Sequence, residues 1–407
     1  MLATRASEAW RGGKMTPAAR VQAAIELLDA VVVAAGDDGA PADRLIAEYF
    51  RTRRYAGSKD RRAVRELVFR AVRACGPVPA NGRAAMLRLA EDDPALAPLF
   101  DGSPHGPAPI GPGEVAAHGG LATDWLVAAL AQSGVGGEDA AALLGRAPLD
   151  LRVNTLKADR ATIELPVPAA PTDAPQGLRV EPGTQVEAWD AFQSGAVEVQ
   201  DTGSQLACLA VAALPSETVI DLCAGAGGKT LALAAAMANR GTLIAADSAR
   251  NRLSRLAPRA GRAGAGMIET RLINPGRETE MLADFAGRAD AVLVDAPCSG
   301  TGTWRRSPEA RWRLTPARLA RFAEVQARLL DIGAGLVKPG GRLVFVACSL
   351  LDVEGAGQID RFFARHPGWT PQVPELPLGR PRGHGWRLTP YHDETDGFFI
   401  ASLSRAC

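Results

Sequence analysis

Short apolar runs alternate with helix-like segments through the second half of the chain, from about Gln200 onwards. Helical patterns cover, for example, residues 231–238 and 316–337. Strands that alternate with helices build parallel sheets covered by helices on both faces. The pattern therefore predicts an α/β fold with a mostly parallel, doubly wound, Rossmann-like sheet. Its predicted strands lie at residues 218–222, 242–246, 291–294 and 342–346.

The first 145 residues show the periodicity of amphipathic helices instead. Thr16 followed by Pro17 is a typical helix start. Ser58 is predicted to cap another helix, whose apolar face lies opposite a face rich in arginine. We expect residues 1–145 to form an all-α domain. Two further helices are predicted over residues 121–130 and 138–144.

The pattern changes again after Pro148. Residues 149–156 alternate like a strand, and a connector rich in proline and alanine covers residues 166–177. We expect a small α+β extension over residues 146–205, followed by the catalytic domain at residues 206–407. Short strand-like pieces of this extension lie at residues 178–180 and 196–199.

The overall charge is uninformative, because the formal net charge of the 407-residue chain is only +1. The local charge is more informative, since clustered arginines can bind phosphates through paired hydrogen bonds. Asp60 and Glu66 lie among the basic residues, so a solvated helix face remains an alternative. The cluster comprises Arg51, Arg53, Arg54, Lys59, Arg61, Arg62, Arg65, Arg70 and Arg73.

No apolar run approaches the ~20 residues that span a bilayer, and residues 1–5 lack the apolar core of a secretory signal. A cytoplasmic protein without membrane contact is therefore expected. No two cysteines have C-x-x-C spacing and the histidines are scattered, which argues against a zinc site, and a disulfide framework would be unusual in a chain of this size. We expect reduced thiols and no metal. Cys75 and Cys208 are interpreted as small buried hydrophobic residues.

Cys298 and Cys348 have a different setting, because each follows a predicted strand. Ligands of parallel α/β sheets bind at the carboxyl ends of the strands. A thiol at such a position can attack a bound substrate. Asp295, three residues before Cys298, lies at the same predicted edge.

A glycine-rich turn joins the first predicted strand of this domain to the next helix. Such a turn lets backbone N–H groups approach an anionic ligand group. Asp247 ends the second strand, 20 residues beyond Gly227, which is the spacing at which a carboxylate meets ribose hydroxyls. The candidate cofactor-binding residues are Cys223, Ala224, Gly225, Ala226, Gly227, Gly228, Lys229, Asp247 and Asp295.

Three ligands are possible for this turn. An ATP-binding P-loop requires a glycine where Cys223 stands, and a dinucleotide site requires one where Thr230 stands. S-adenosylmethionine requires only amide donors for its carboxylate and an acid for its ribose. Together with the two cysteines, the turn favours S-adenosylmethionine.

These groups match the requirements of methyl transfer to carbon 5 of cytosine. That carbon becomes nucleophilic when a thiolate adds to carbon 6. The reaction also needs an acid at the pyrimidine edge, a bound methyl donor and extraction of the base from its stack. Asp295, the glycine turn and one of the two cysteines fit these roles, and the residues alone leave open which cysteine attacks.

The chain resembles the RsmB/Nop2/Sun family of RNA 5-methylcytosine methyltransferases over residues 148–404. The segments that carry the resemblance are DLCAGAGGKT, DAPCSGTGTWRRSPEARWRLT and KPGGRLVFVACSL, with LRVNTLK, VQDTGSQL and TDGFFIA beside them. The helical N-terminus is similar to the NusB-like RNA-binding domain of the bacterial branch. The resemblance implies RNA as the partner, with small-subunit ribosomal RNA expected, and S-adenosylmethionine as the cofactor. We expect a monomer.

The resemblance also implies a role for each candidate residue. Cys348 is expected to be the attacking nucleophile, and Cys298 is expected to assist product release. Residues 223–229 are expected to line the methyl donor, Asp247 to hold its ribose, and Asp295 to lie between donor and base.

The chain departs from the family pattern at two places. Ala226 stands where the family has proline, and residues 268–275 lack the family's acid near the adenine, for which Asn274 is a candidate substitute. Two alternatives for the function remain: a transfer RNA substrate, and a catalytically silent assembly factor. The loop after Cys298 contains Trp304, Arg305, Arg306 and Trp312, which could either contact RNA or pack against the core.

Overall fold

The structure is a computed structural model, and it describes residues 15–37 and 39–407. The prediction about residues 1–5 lies outside the described residues. The chain divides into two compact units. The helical unit contains the residues up to Ala128 together with the segment Ser307–Leu314. The α/β unit contains Ala129–Arg306 and Thr315–Cys407. The domain boundaries at residues 145 and 205 stay predictions.

The helical unit packs its helices around one apolar core that includes Val21, Leu28, Val68 and Met86. Thr16 caps the first helix as predicted, because its hydroxyl oxygen accepts a hydrogen bond from the Ala19 N–H at 3.1 Å. The helices are α1 (Pro17–Gly36), α2 (Ala42–Thr52), α3 (Ser58–Ala74) and α4 (Gly82–Asp92), with α5 (Asp124–Gln132) running across the division between the units.

The start of α3 differs from its prediction. Ser58 is the first helical residue and Gly57 is the N-cap, so the prediction that Ser58 caps this helix is wrong. The buried carboxylate of Asp60 satisfies the free N–H of Gly57 at 3.3 Å. It also accepts hydrogen bonds from Arg20, at 2.7 Å for Nη2. The side chain that accepts a hydrogen bond at the start of the helix is therefore that of Asp60, and not that of Ser58.

The segment Ser307–Leu314 completes the helical unit, although it follows Cys298 in the chain. Trp312 joins the apolar core, and its Nε1 donates to the Gly76 carbonyl at 3.1 Å. Arg311 is 2% exposed and donates to the carbonyls of Val72 and Cys75. Trp312 therefore packs against the core, which was one of the two alternatives for this loop, the other being contact with RNA.

The α/β unit contains a small antiparallel sheet, consistent with the predicted α+β extension. Its strand order is β2-β3-β1-β4. The strands are β1 (Leu149–Val153), β2 (Ala170–Pro171), β3 (Gly177–Val180) and β4 (Val197–Val199).

The larger sheet has the order β11-β12-β13-β9-β8-β5-β6-β7, with β10 pairing to β13. Pairs β7–β6, β6–β5, β5–β8 and β8–β9 are parallel, whereas β13 is antiparallel to β9, β12 and β10. The strands are β5 (Thr218–Asp221), β6 (Thr242–Asp247), β7 (Ile268–Leu272), β8 (Ala289–Asp295), β9 (Val337–Ala347), β10 (Trp369–Gln372), β11 (Arg380–Arg382), β12 (Gly385–Leu388) and β13 (Phe398–Arg405). The predicted mostly parallel, Rossmann-like core is confirmed.

Helices connect the parallel strands along the chain. Two apolar clusters of the α/β unit each include residues of these strands. The helices of this unit are α6 (Gly137–Ala142), α7 (Asp190–Gln193), α8 (Thr202–Leu209), α9 (Gly228–Ala236), α10 (Arg250–Leu253), α11 (Leu256–Ala263), α12 (Glu278–Met281), α13 (Pro316–Leu336), α14 (Ala356–Arg365) and α15 (Pro390–Asp393).

The register of the parallel strands brings the predicted site residues to one edge. Asp221 pairs with Leu293 on β8, and Asp295 at the end of β8 pairs with Val346 on β9. The carboxyl ends of three adjacent strands therefore meet, which is where open α/β sheets bind ligands.

Candidate active site

Cys298 and Cys348 lie side by side, with their Sγ atoms 3.3 Å apart. Cys298 follows β8 by three residues, and Cys348 directly follows β9. Both side chains are partly buried and unbridged. The hydrogen bond with Cys348 and burial raise the pKa of the Cys298 thiol. Cys298 therefore holds its proton as long as Cys348 stands unreacted beside it.

A cavity of about 680 Å³ contains both cysteines and most of the predicted cofactor residues. Its wall includes Asp221, Cys223, Gly225, Lys229, Asp295, Cys298, Cys348, Asp396 and Phe398. Burial and the carboxylates of Asp295 and Asp221 raise the pKa of Cys223, so this third thiol stays protonated. Its protonation makes Cys223 a poor competitor for the role of nucleophile.

Asp295 forms an ion pair with Lys229, whose Nζ lies 2.6 Å from Oδ2. Burial alone would lower the pKa of Lys229, but the adjacent Asp295 carboxylate outweighs it and raises the pKa above the ordinary value. The ammonium group also lies 5.7 Å from the centre of the Phe398 ring. The pair is therefore a fixed acid–base arrangement on the cavity wall, beside the two thiols.

The glycine turn adopts a conformation that requires its glycines. Gly225 and Gly227 have φ angles of 56° and 87°, in the left-handed region. A Cβ on Gly227 would lie 2.0 Å from Leu256 Cδ1, so a side chain there would require Leu256 to shift in addition to straining the backbone. Helix α9 begins at Gly228, and its first N–H groups face the turn.

Asp247 is hydrogen-bonded to this turn and is not among the residues that line the cavity in the described part of the chain. It is 3% exposed, its Oδ2 accepts from the Gly225 N–H at 2.8 Å, and its Oδ1 accepts from the Ala249 N–H at 2.6 Å. Ala226, which replaces the family's proline, uses its carbonyl to accept from Arg259 at 2.6 Å. Asn274 is exposed and is not among the residues that line the cavity in the described part of the chain.

Asp221, the first residue of the segment DLCAGAGGKT, is a residue of the cavity wall that the sequence did not predict. It is 1% exposed, and its Oδ2 accepts from the Thr230 hydroxyl at 2.6 Å. Its Oδ1 has no hydrogen-bond partner among the described residues. Burial raises the pKa of Asp221 to about 7. Its place at the end of β5, directly before the glycine turn, was the available signal.

Two further carboxylates, those of Asp201 and Asp396, line the cavity and pair with arginines of the loop after Cys298. Arg306 pairs with Asp201, at 3.0 Å from Nη2, and with Asp396 through Nε. Burial and the Asp201 charge raise the pKa of Asp396 to about 6. Arg305 is 7% exposed beside Asp396, and Trp304 is fully buried. These three loop residues therefore also follow the packing alternative rather than forming an open RNA-stacking surface.

Among residues 15–37 and 39–407, no group of three or more His, Cys, Asp and Glu side chains is placed to hold a metal ion. No helix among the same residues is long and apolar enough to cross a membrane.

Residues 208–404 match a protein family described as 16S rRNA methyltransferase RsmB/F. A Synechocystis sp. protein named probable ribosomal RNA small subunit methyltransferase B is 37% identical over 275 residues, covering 63% of this chain and 60% of that protein. The ribosomal RNA small subunit methyltransferase B of Salmonella arizonae is 36% identical over 231 residues, covering 57% of this chain and 52% of that protein. The chain thus spans only about half to three fifths of the length of these relatives.

A crystal structure from Pyrococcus horikoshii, described as a methyltransferase homolog protein, has a similar fold. Its TM-score is 0.58 at 26% identity, and the match covers 70% of this chain and 99% of that one. The parallel sheet and the cavity at its carboxyl edge give the α/β unit a Rossmann-like fold similar to that of this methyltransferase homolog. Within it, residues 208–404 are similar to the RsmB/F methyltransferase family.

Proposed function

We propose that the protein methylates carbon 5 of a cytosine in RNA, using S-adenosylmethionine and a covalent bond between Cys348 and carbon 6 of the base. Small-subunit ribosomal RNA is the proposed substrate, because the relatives are named for it. One observation carries the proposal: two thiols 3.3 Å apart share a cavity with the Asp295–Lys229 pair and the glycine turn.

The polar groups of the cavity wall suit the methyl donor. The glycine turn offers N–H groups for a carboxylate, and Oδ1 of Asp221, which has no hydrogen-bond partner among the described residues, would accept from an ammonium group. S-adenosylmethionine carries both groups on its methionine moiety. When bound, it supplies an electrophilic methyl group.

The two thiols would act in sequence. The Cys348 thiolate attacks carbon 6, which forms a C–S bond and moves the electron pair to carbon 5, where the methyl group is received. The proton on carbon 5 then leaves, and the C–S bond breaks to regenerate the double bond and the Cys348 thiolate. Asp295, held by Lys229, would contact the ring nitrogen and amino edge of the base.

The proximity of the thiols explains how Cys298 would enter only at the second stage. The hydrogen bond with Cys348 and the charge of Cys348 both raise the pKa of Cys298. Once the Cys348 sulfur is bonded to carbon, that hydrogen bond and that charge are lost. Cys298 is then a stronger acid, and its thiolate becomes available to take the proton from carbon 5.

Bisulfite mapping of cellular RNA with and without the gene tests the proposed function. The proposal predicts that a protected cytosine in small-subunit ribosomal RNA loses protection when the gene is deleted. A lost site in transfer RNA instead would favour that alternative substrate. If no cytosine in any RNA changed, and the purified protein also failed to bind S-adenosylmethionine, the silent assembly factor would be favoured.

Asp221 makes a pH dependence of cofactor binding testable. Because burial raises its pKa from 3.8 to about 7, its carboxylate becomes charged only as the pH rises through about 7. We expect the affinity for S-adenosylmethionine to rise about tenfold between pH 6 and pH 7.5, measured by calorimetry. Asp221→Asn should abolish this dependence, and an unchanged pH profile in the variant would contradict the assignment.

The raised pKa of Asp221 also affects the stability of the protein without S-adenosylmethionine, and here stability falls as the pH rises. A carboxyl whose pKa is raised by folding stabilises the fold while it is protonated. The contribution of Asp221 to the free energy of unfolding is therefore present below pH 3.8 and is lost as the pH rises through about 7. Bound S-adenosylmethionine should offset that loss.

We further propose that the helical unit is a NusB-like RNA-binding domain. Supporting this, Lys59 and Arg62 are exposed on α3. Two neighbours are engaged within the unit, since Arg65 pairs with Asp43 and Arg61 donates to the Ala56 carbonyl. Exposed cations on one helix are suited to contact phosphates without reading sequence.

Neutralising Lys59 and Arg62 together, as Lys59→Gln and Arg62→Gln, should weaken RNA binding. Each lost phosphate contact should reduce the slope of log affinity against log salt by about 1. Filter binding at several salt concentrations measures this, and Arg277→Gln, at an exposed arginine of the α/β unit, is the control. A double variant with an unchanged slope would show that this face does not bind phosphate.

A further inference from the structure

Glu354 is a fully buried carboxylate six residues after Cys348. It ends the short helical turn Asp352–Glu354. Burial raises its pKa, although its hydrogen bonds act in the opposite direction. Among the described residues, the groups that donate hydrogen bonds to it are all neutral. Burying a carboxylate costs free energy, which its hydrogen bonds must offset.

The donors to Glu354 flank the two cysteines. Ser299, directly after Cys298, donates its N–H to Oε1 at 2.8 Å and its hydroxyl to Oε2. Ser349, directly after Cys348, donates its hydroxyl to Oε2 at 2.6 Å. One carboxylate thus binds the residues that follow both cysteines.

Gln326 on α13 links Glu354 to the residue that precedes Cys298. Its Nε2 donates to Glu354 Oε1 at 3.1 Å and to the carbonyl of Pro297 at 2.9 Å. The backbone on both sides of Cys298 is therefore tied, directly or through Gln326, to the same carboxylate.

Further hydrogen bonds join the two cysteine loops to each other. The Thr301 hydroxyl oxygen accepts from the Leu350 N–H at 2.8 Å, and the Gly302 N–H donates to the Cys348 carbonyl at 3.1 Å. These bonds cross-link the loops, and Glu354 is the point at which four hydrogen bonds converge.

We propose that Glu354 is a positioning residue that fixes the separation of the Cys298 and Cys348 thiols. The inference rests on the proposed function for what the two thiols do. Its physical basis is acceptor capacity: two carboxylate oxygens can accept all four hydrogen bonds at once, whereas an apolar side chain accepts none. Without this acceptor, the buried Ser299 N–H and two hydroxyls must find other partners, and the loops move apart.

Phenylarsine oxide provides a test of thiol separation that needs neither RNA nor S-adenosylmethionine. It reacts with two neighbouring thiols to form two As–S bonds, releasing its oxygen with the two thiol protons as water. Intact mass and peptide mapping locate the bridge. The native protein should form it between Cys298 and Cys348, and Cys298→Ala or Cys348→Ala should prevent it.

Glu354→Met keeps a similar side-chain volume but removes the acceptors. We expect arsenic bridging to weaken by about tenfold or more, because the second thiol no longer lies at high effective concentration. Methyl transfer should fall about 100-fold in kcat, as for a misplacement of about 1 Å, with the KM for S-adenosylmethionine unchanged. Glu354→Gln should recover much of both, because its oxygen can serve the Ser299 N–H while the serine hydroxyls rotate to accept from its amide.

Asp352→Asn is the matched control. Asp352 lies in the same turn, but its carboxylate accepts from Arg382 and Arg387 rather than from the cysteine loops. It should retain native bridging. If Glu354→Met does not fold, Ser349→Ala removes one donor from the cluster and should still weaken bridging.

Native bridging in a folded Glu354→Met protein, or in Ser349→Ala if the former does not fold, would overturn the inference. So would a folded Glu354→Gln protein as defective as Glu354→Met, since a residue that acts only through its hydrogen bonds is rescued by the amide. Loss of the proposed function leaves a different signature: the arsenic results would stand while the native protein methylated no cytosine.

Discussion

Replacing Cys348 with alanine is expected to abolish methyl transfer to RNA, with kcat falling by about 10⁴-fold or more. Carbon 5 of cytosine is too weak a nucleophile to take the methyl group until a sulfur is bonded to carbon 6. The neighbouring thiol of Cys298 is not expected to substitute. It lies on a different loop, and its burial still raises its pKa when the Cys348 thiol is absent. Incorporation of a radiolabelled methyl group into unmodified small-subunit ribosomal RNA measures the effect.

Two controls separate lost chemistry from lost structure. Cys348→Ala should bind S-adenosylmethionine with native affinity, because the glycine turn and Asp221 are unchanged. Cys75→Ala, at a buried cysteine of the helical unit, should keep native kcat. Methyl transfer at a substantial rate by Cys348→Ala would remove this residue from the nucleophile role.

Replacing Cys298 with alanine should instead leave the protein covalently trapped on its RNA. Attack by Cys348 and methyl transfer do not require Cys298, but loss of the carbon 5 proton does under the proposed sequence of steps. The C–S bond then persists. A denaturing gel should show a slower band that contains both protein and RNA, while the native protein shows little of it.

This trapped species depends on the other thiol. Combining Cys298→Ala with Cys348→Ala should remove the slow band, and omission of S-adenosylmethionine should reduce it if methylation commits the adduct. Normal turnover by Cys298→Ala, without any covalent complex, would contradict the release role.

The sequence predicted the parallel core well because its strands are buried on both faces. Residues 291–294 and 342–346 are apolar runs that have few alternatives to a central strand, and both lie in strands of the sheet. The edge strands β10 and β11 consist mostly of exposed residues, and the interior strand β12 has only four residues and no apolar run, so the sequence did not predict these three strands. The antiparallel return of β13 depends on pairing with β9, which is distant in sequence.

The sequence likewise predicted some residues of the candidate site and not others. Cys298, Cys348 and the glycine turn could be identified because strand ends and glycines have local signatures. The importance of Asp221 and Glu354 could not, since it lies in burial and in partners supplied by other segments. Trp312 was assigned to either RNA or the core, and only the fold shows that it packs in the helical unit.

The nucleotide-linked residue in the trapped complex provides the most direct test of the account. The complex formed by Cys298→Ala with RNA should be digested with protease and nuclease and analysed by mass spectrometry. The account predicts a methylated cytidine attached to the peptide that contains Cys348. A nucleotide attached to any other residue, or no covalent complex with an RNA that the native protein methylates, would contradict it.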